Sequence, residues 1–273
     1  MSTTKAQGAV LITGASTGIG ATYADRLAKR GHDLILVARN KQRLDSLARR
    51  LADETGRKIE TVAADLSDAA DLRRVEDILR TNAGISMLVN NAGVGAVGPL
   101  VASDVDKMDY MIHLNVTALT RLTYAAVPGF VARGEGTIIN IASIVAIAWE
   151  RLNGVYSGTK AFVLAFSHSL VNELTDKGVR VQAVLPGATA TEFWEIAGKP
   201  VQELPAEIVM SADDMVDAAL AGLDLGETVT IPSLANGAEW DRYDATRRAM
   251  SGRIRSAIPA ARYNLGQHGR MSA

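Results

Sequence analysis

Residues 9–30 read AVLITGASTGIGATYADRLAKR, and the fold is decided there. Ala9 to Ile12 is a short apolar run of the kind that forms a buried strand. Ala21 to Arg30 has helical periodicity, with Ala24, Leu27 and Ala28 on one face and Gly31 as its stop. Between them stand Gly14, Ser16, Thr17, Gly18, Ile19 and Gly20, in a GxxxGxG spacing rather than the commoner GxGxxG. Glycine lets a backbone turn sharply and approach a ligand closely, and the free N–H groups at a helix start favour negative charge. A second strand, Leu34 to Ala38, follows about twenty residues on, which completes the arrangement a dinucleotide pyrophosphate requires. The glycines by themselves fit equally a tight turn that binds nothing.

Working outward, Asn40 caps a helix carrying Leu44, Leu47 and Leu51 that stops near Gly56, and Ile59 to Ala63 is a third strand. Ser67 caps the next helix, with Leu72, Val75 and Leu79 facing in, before strand four at Ile85 to Val89. A long helical stretch runs from about Val105 to Val131. Thr137 to Ile141 is strand five, Val155 to Asp176 a helix, and Val179 to Leu185 strand six, ending at Pro186 and Gly187. A looser region, Ala188 to Met210, leads to a helix at Ala212 to Gly222 and a last strand at Thr228 to Ile231.

This alternation predicts an α/β chain: a single-domain Rossmann fold whose doubly wound parallel sheet has about seven strands flanked by helices. One domain spans 1–273, with a core of about 8–235 and a C-terminal extension of about 237–273. In that extension Ala238 to Ser251 reads as a helix with Trp240, Tyr243 and Met250 along one side and Gly252 as its stop. Ile254, Ile258, Tyr263 and Leu265 add apolar surface, and seven arginines face three acids, a balance read as a solvated face.

Hydrophobic residues make up 48%, charged residues 22%, and the formal net charge is −1, so nothing points to a nucleic-acid or membrane partner. The absence of cysteine excludes disulfides, cysteine-held metal and a thiol nucleophile. His32, His113, His168 and His268 form no HxxxH or HExxH pattern, and no catalytic metal is expected. The start MSTTKAQGAVLITGAS lacks the roughly 7 to 15 residue apolar stretch of a signal peptide, and a cytoplasmic location is expected.

Two further features carry chemistry. At the end of strand two stands Arg39 where an acid would meet a ribose 2′-hydroxyl. A guanidinium suits a 2′-phosphate, so NADP(H) is expected in preference to NAD(H), the alternative being a solvated surface arginine. Tyr156 and Lys160 stand at i and i+4, on one helix face, and Ser143 lies thirteen residues earlier at the carboxyl end of the sheet, where open α/β folds bind ligands.

In order and spacing, TGxxxGxG, Asn90-Asn91-Ala92-Gly93, the serine thirteen residues before YxxxK, and Pro186-Gly187 resemble the classical short-chain dehydrogenase/reductase family, over roughly residues 8–235. The resemblance implies an NADP(H)-dependent oxidoreductase that interconverts a carbonyl (ketone or aldehyde) and an alcohol. Tyr156 is then the general acid in reduction. Lys160 and the oxidised nicotinamide together lower the phenol's pKa, Lys160 also holds the nicotinamide ribose, Ser143 hydrogen-bonds the substrate oxygen, and Asn115 binds a water linking the lysine to solvent.

Asp65 and Leu66 resemble the segment meeting the adenine, although Asp65 also suits the capping of a turn. Asn91, Ala92 and Gly93 resemble the stretch lining the riboses, and Thr189 and Thr191 follow Pro186 and Gly187 toward the nicotinamide, Thr191 being the better match. Val145, Trp149, Phe193 and Trp194, with Val94, Val97, Leu152 and Ile196, form an expected substrate pocket for a small, largely apolar molecule, unless core packing explains them. Glu150, Arg151 or Glu192 offers one polar anchor. The family commonly forms homodimers or homotetramers through the helices of Asn115 and Tyr156. A 3-oxoacyl thioester reductase of lipid synthesis and a non-catalytic NADP-binding regulator are the competing readings.

Overall fold

Residues 8–263 are described by a computed structural model, and the chain divides into two compact units, Met1–Ser233 and Leu234–Ala273. In the first unit β1 (Ala9–Thr13), α1 (Gly18–Lys29), β2 (Leu34–Ala38), α2 (Lys41–Thr55), β3 (Ile59–Ala63), α3 (Ala69–Thr81) and β4 (Ile85–Asn90) alternate. Next come α4 (Val105–Ile112), α5 (Leu119–Arg133), β5 (Gly136–Ile141), α6 (Gly154–Leu174) and β6 (Val179–Val184). The unit closes with β7 (Ala188–Thr189), α7 (Phe193–Ile196), β8 (Val209–Met210), α8 (Ala212–Asp224) and β9 (Val229–Thr230).

Seven strands form one sheet in the order β3-β2-β1-β4-β5-β6-β9, and every pairing is parallel. Parallel strands buried on both faces read as continuous apolar runs. Alternate residues accordingly go to opposite layers. Val10, Ile12, Leu34 and Leu36 pack with α1, α2 and α8, while Leu11, Ile35 and Val37 pack with α3, α5 and α6. The chain winds outward from β1 to β3, then returns to β1's other side with β4, so a crevice opens where the carboxyl ends of β1 and β4 diverge.

Three local expectations change in this unit. The cap of α3 is Asp68, whose carboxylate accepts from the N–H groups of Ala70 and Asp71, both at 2.9 Å. Ser67 instead donates its hydroxyl to Asp65 at 2.7 Å, so its side chain is taken. The helix expected from Val105 to Val131 is interrupted by a π-helical segment, His113–Ala118, between α4 and α5, a distortion that often marks functional positions. The looser region contains a two-stranded parallel sheet, β7 with β8.

The second unit holds α9 (Gly237–Arg253), capped by the Asn236 side chain, with Trp240 and Tyr243 in ring contact at 5.3 Å. This helix runs through Gly252, since a glycine inside a helix costs only about 1 kcal/mol relative to alanine. Residues 1–7, Leu265 and His268 lie outside the described residues. Among the described residues no helix is long and apolar enough to cross a membrane, and no group of three metal-ligating side chains converges.

Candidate active site

One cleft of about 1430 Å³ opens at the carboxyl end of the sheet. At one end it is lined by Gly14, Ser16, Thr17, Gly18 and Ile19. Gly18 has φ +53°, a left-handed conformation that costs other residues strain, and a Cβ at Gly20 would collide with the carbonyl oxygen of Gly14. Gly20 therefore shapes the turn without lining the cleft. Thr17 at the N-cap of α1 offers no side-chain hydrogen bond, whereas the caps of α2, α3, α6 and α8 do. The N–H groups at the start of α1 are thus left by their cap residue for an anion.

The turn is tied to the end of β4. Asn91 donates Nδ2 to the carbonyls of Thr13 (2.9 Å) and Gly14 (3.1 Å), and the Thr13 hydroxyl accepts from the N–H groups of Asn91 and Ala92, both at 3.0 Å. Sequence reading missed Thr13, whose signal is only its place directly before the glycine turn.

Along the β2 side lie Arg39, Asn40, Arg43, Asp65 and Leu66. Arg39 is exposed and donates to the Tyr110 hydroxyl at 3.1 Å. Arg43 pairs with Glu192 at 2.7 Å; both side chains are 50% exposed, so the pair contributes little to stability. Asp65 accepts from both the N–H and the hydroxyl of Ser67, the turn-capping role, while also lining the cleft.

Deeper in, Ser143 follows β5, and Tyr156 and Lys160 rise from the first turns of α6. All three are buried. Lys160 donates Nζ to the Ile141 carbonyl at 2.9 Å and lies 5.8 Å from the centre of the Tyr156 ring. Ser143 donates to the Pro186 carbonyl at 3.3 Å and accepts from the Val145 N–H at 3.4 Å. Burial pushes the Tyr156 phenol up to about 12, against a smaller lowering by Ser143, and burial pushes Lys160 down to about 8. Lys160 by itself therefore does not lower the phenol. Desolvation acts directly on the buried hydroxyl, and Lys160 faces the ring at a distance.

Asn115, inside the π-helical segment, accepts from the Val94 N–H at 2.9 Å and donates to the Val94 carbonyl at 2.8 Å and to Thr159 at 3.1 Å. Both amide hydrogens are committed, so this side chain ties the loop after β4 to α6. Around Tyr156 the wall is apolar: Val94, Val97, Val145, Leu152, Phe193, Trp194 and Ile196 line the cleft. Phe193 stands 5.7 Å from the Tyr156 ring, and Trp194 is pinned by its indole N–H on the Thr189 carbonyl. Trp149 is 65% exposed and lies outside the lining, because its turn precedes α6 on the surface. Pro186, Gly187, Thr189 and Thr191 line the cleft, and of the three polar anchors Arg151 and Glu192 do while Glu150 does not.

A family model described as short chain dehydrogenase matches residues 8–200. The chain belongs to this family. A short-chain dehydrogenase from Sphingobium yanoikuyae, solved in complex with NADPH, is 52% identical to this one, with a TM-score of 0.91 over 94% of this chain and 99% of that chain. The bulky-bulky ketone specific alcohol dehydrogenase from Comamonas testosteroni is 45% identical, with a TM-score of 0.88 over 95% of this chain and 99% of the other. Among curated proteins, very-long-chain 3-oxoacyl-CoA reductase of Anas platyrhynchos is 34% identical over 234 residues, 83% of this chain and 70% of the relative. This dehydrogenase is thus an oxidoreductase of the Rossmann class that uses a nicotinamide dinucleotide.

Proposed function

We propose that this dehydrogenase is an NADP(H)-dependent carbonyl reductase that interconverts a ketone or aldehyde and an alcohol, with Tyr156 as general acid/base. The observation that carries the reading is the burial of Ser143, Tyr156 and Lys160 together at the apolar end of a cleft that also reaches Arg39 and the start of α1. When bound, NADPH supplies the hydride that adds to the carbonyl carbon.

Tyr156 gives its phenolic proton to the carbonyl oxygen as that oxygen gains charge, and burial keeps the phenol in the protonated form this needs. Ser143 donates a hydrogen bond to the same oxygen, orienting it and stabilising the developing alkoxide. Lys160 would hold the ribose hydroxyls, and its Nζ lies 5.8 Å from the centre of the tyrosine ring. In oxidation Tyr156 accepts the proton as a phenolate, a form that burial disfavours and that the positive charge of an oxidised nicotinamide would favour. Gly14 to Gly20 and the start of α1 would hold the pyrophosphate, Arg39 the 2′-phosphate, Asp65 and Leu66 the adenine, and Asn91 to Gly93 the ribose. Pro186, Gly187, Thr189 and Thr191 would complete the nicotinamide side. Asn115 positions the loop that carries Val94.

The apolar wall suits a substrate without charge near the carbonyl, and the relative named for bulky-bulky ketones supports a ketone with two large substituents. The second reading, reduction of a 3-oxoacyl thioester, is favoured by the relatives named for that substrate. Absorbance assays with NADPH and NADH against bulky ketones, aldehydes and a 3-oxoacyl thioester decide between them. The expected outcome is carbonyl-dependent oxidation of NADPH, fastest with bulky apolar ketones. If no carbonyl accelerates NADPH oxidation, the protein is a non-catalytic NADP-binding regulator and the reading fails.

A further inference from the structure

Asn153 stands three residues before Tyr156, at the N-cap of α6, and is buried with 4% exposure. Its amide is fully used. Oδ1 accepts from the N–H groups of Val155 (2.9 Å) and Tyr156 (3.4 Å), while Nδ2 donates to the Gly98 carbonyl (2.7 Å) and the Ser103 hydroxyl (3.0 Å). One side of this amide holds the helix turn from which Tyr156 projects. The other holds the segment directly after Val94 and Val97, two residues of the apolar wall. Both attachments run through a single planar group, so neither shifts without the other.

We propose that Asn153 is a positioning residue that locks the proton donor to the substrate-facing wall, its carbonyl setting Tyr156 and its N–H groups setting the 94–103 segment. An ordinary helix cap needs only the accepted bonds. The two donated bonds are what a cap does not require, and they reach 55 and 50 residues back along the chain. A donor misplaced relative to the carbonyl lowers turnover, whereas a loosened wall weakens the substrate complex, so the two halves of the amide have separate kinetic signatures.

The inference rests on Tyr156 being the proton donor, and Y156F is the control for that reading: if Y156F keeps its turnover, the mechanism itself is wrong. With Y156F impaired, three variants test Asn153 by steady-state kinetics and NADPH fluorescence titration. N153A removes both halves and is expected to lose about 10- to 100-fold in kcat while NADPH affinity stays within about twofold. N153S restores a capping oxygen but not the clamp, so kcat should return to within about threefold of wild type while KM stays raised. S103A removes one partner on the wall side and should raise KM with kcat unchanged. If N153A keeps kcat within about twofold, or if N153S loses as much kcat as N153A, the proposal is overturned. Should N153A fail to fold, N153S and S103A still decide, because an unchanged KM in both refutes the clamp.

Discussion

Tyr156 and Lys160 sit one helical turn apart in the same enclosure, and burial drives both toward their uncharged forms. With the phenol pushed up to about 12, Tyr156 is expected to enter the reduction protonated, and the pH dependence of reduction is then expected to follow Lys160. Its ammonium is present below about 8 and is lost above it. The pH profile of kcat/KM for carbonyl reduction is expected to be level up to about 8 and to fall beyond it. For stability the sign is opposite to that of a stabilising pair. The folded pKa lies below the ordinary 10.5, so the unfolded chain binds more protons between about 8 and 10.5, and this group's contribution to stability rises with pH across that window. The phenol itself is tested by Y156F, which should bind NADPH normally and lose roughly 10² to 10⁴ in turnover, the range for a positioned general acid; a rate-limiting chemical step at wild-type speed would refute the role. Arg39, exposed at the far end of the cleft, should matter for one cofactor only. Arg39→Ala is expected to weaken NADPH by roughly 10- to 150-fold, the worth of about 1.5 to 3 kcal/mol for a charge-assisted hydrogen bond, and to leave NADH nearly unchanged in parallel titrations.

At the scale of elements, α1 has no side-chain cap where α2, α3, α6 and α8 have one, and β1 delivers its start to the crevice beside β4. The space beside Gly20 is filled by the Gly14 carbonyl and the Asn91 side chain, leaving no room for a Cβ. Gly20→Ala would force the turn apart, and overpacking of this kind costs typically about 1 to 3 kcal/mol. A lower Tm together with a weakened NADPH complex is expected, measured by thermal unfolding with and without NADPH. A loss of Tm with unchanged NADPH affinity would mean that the turn does not shape the pyrophosphate site. In the same way α6 is more than scaffold: its first turn carries Tyr156, its second Lys160, and its inner face is tied through Thr159 to Asn115.

At the scale of the whole molecule, the unit ending at Ser233 holds the cleft and, among the described residues, its lining. The second unit keeps Tyr243, Met250, Ile254, Ile258 and Tyr263 exposed, and such surface is costly unless a partner covers it. Ending the chain after Gly237 is expected to raise the substrate KM or to give a smaller oligomer, with NADPH binding intact. Kinetics and size-exclusion chromatography that both match the full chain would make the extension a mere tail. On the first unit, Tyr124 of α5 and Phe162 of α6 are also exposed apolar residues on the helices through which a homodimer or homotetramer is expected to pair.

Local order determined what the sequence alone could settle. Strand boundaries such as Leu34–Ala38 and Ile59–Ala63, the Asn40 cap, the Gly56 stop and the glycine turn all follow from periodicity and from conformations open to few residue types. The spacing of Tyr156 and Lys160 on one helix face was legible for the same reason. What required the tertiary structure was every relation between segments far apart in sequence. The sheet order brings Thr13 to Asn91 and Ser143 to Pro186, and no local pattern announces either contact. Trp149 and Trp194 are alike as residue types, yet one is exposed and the other is anchored in the cleft by a backbone carbonyl. The proton affinities of Tyr156 and Lys160 likewise depend on how much water packing removes, and desolvation is a property of the assembled surroundings rather than of the neighbours in the chain.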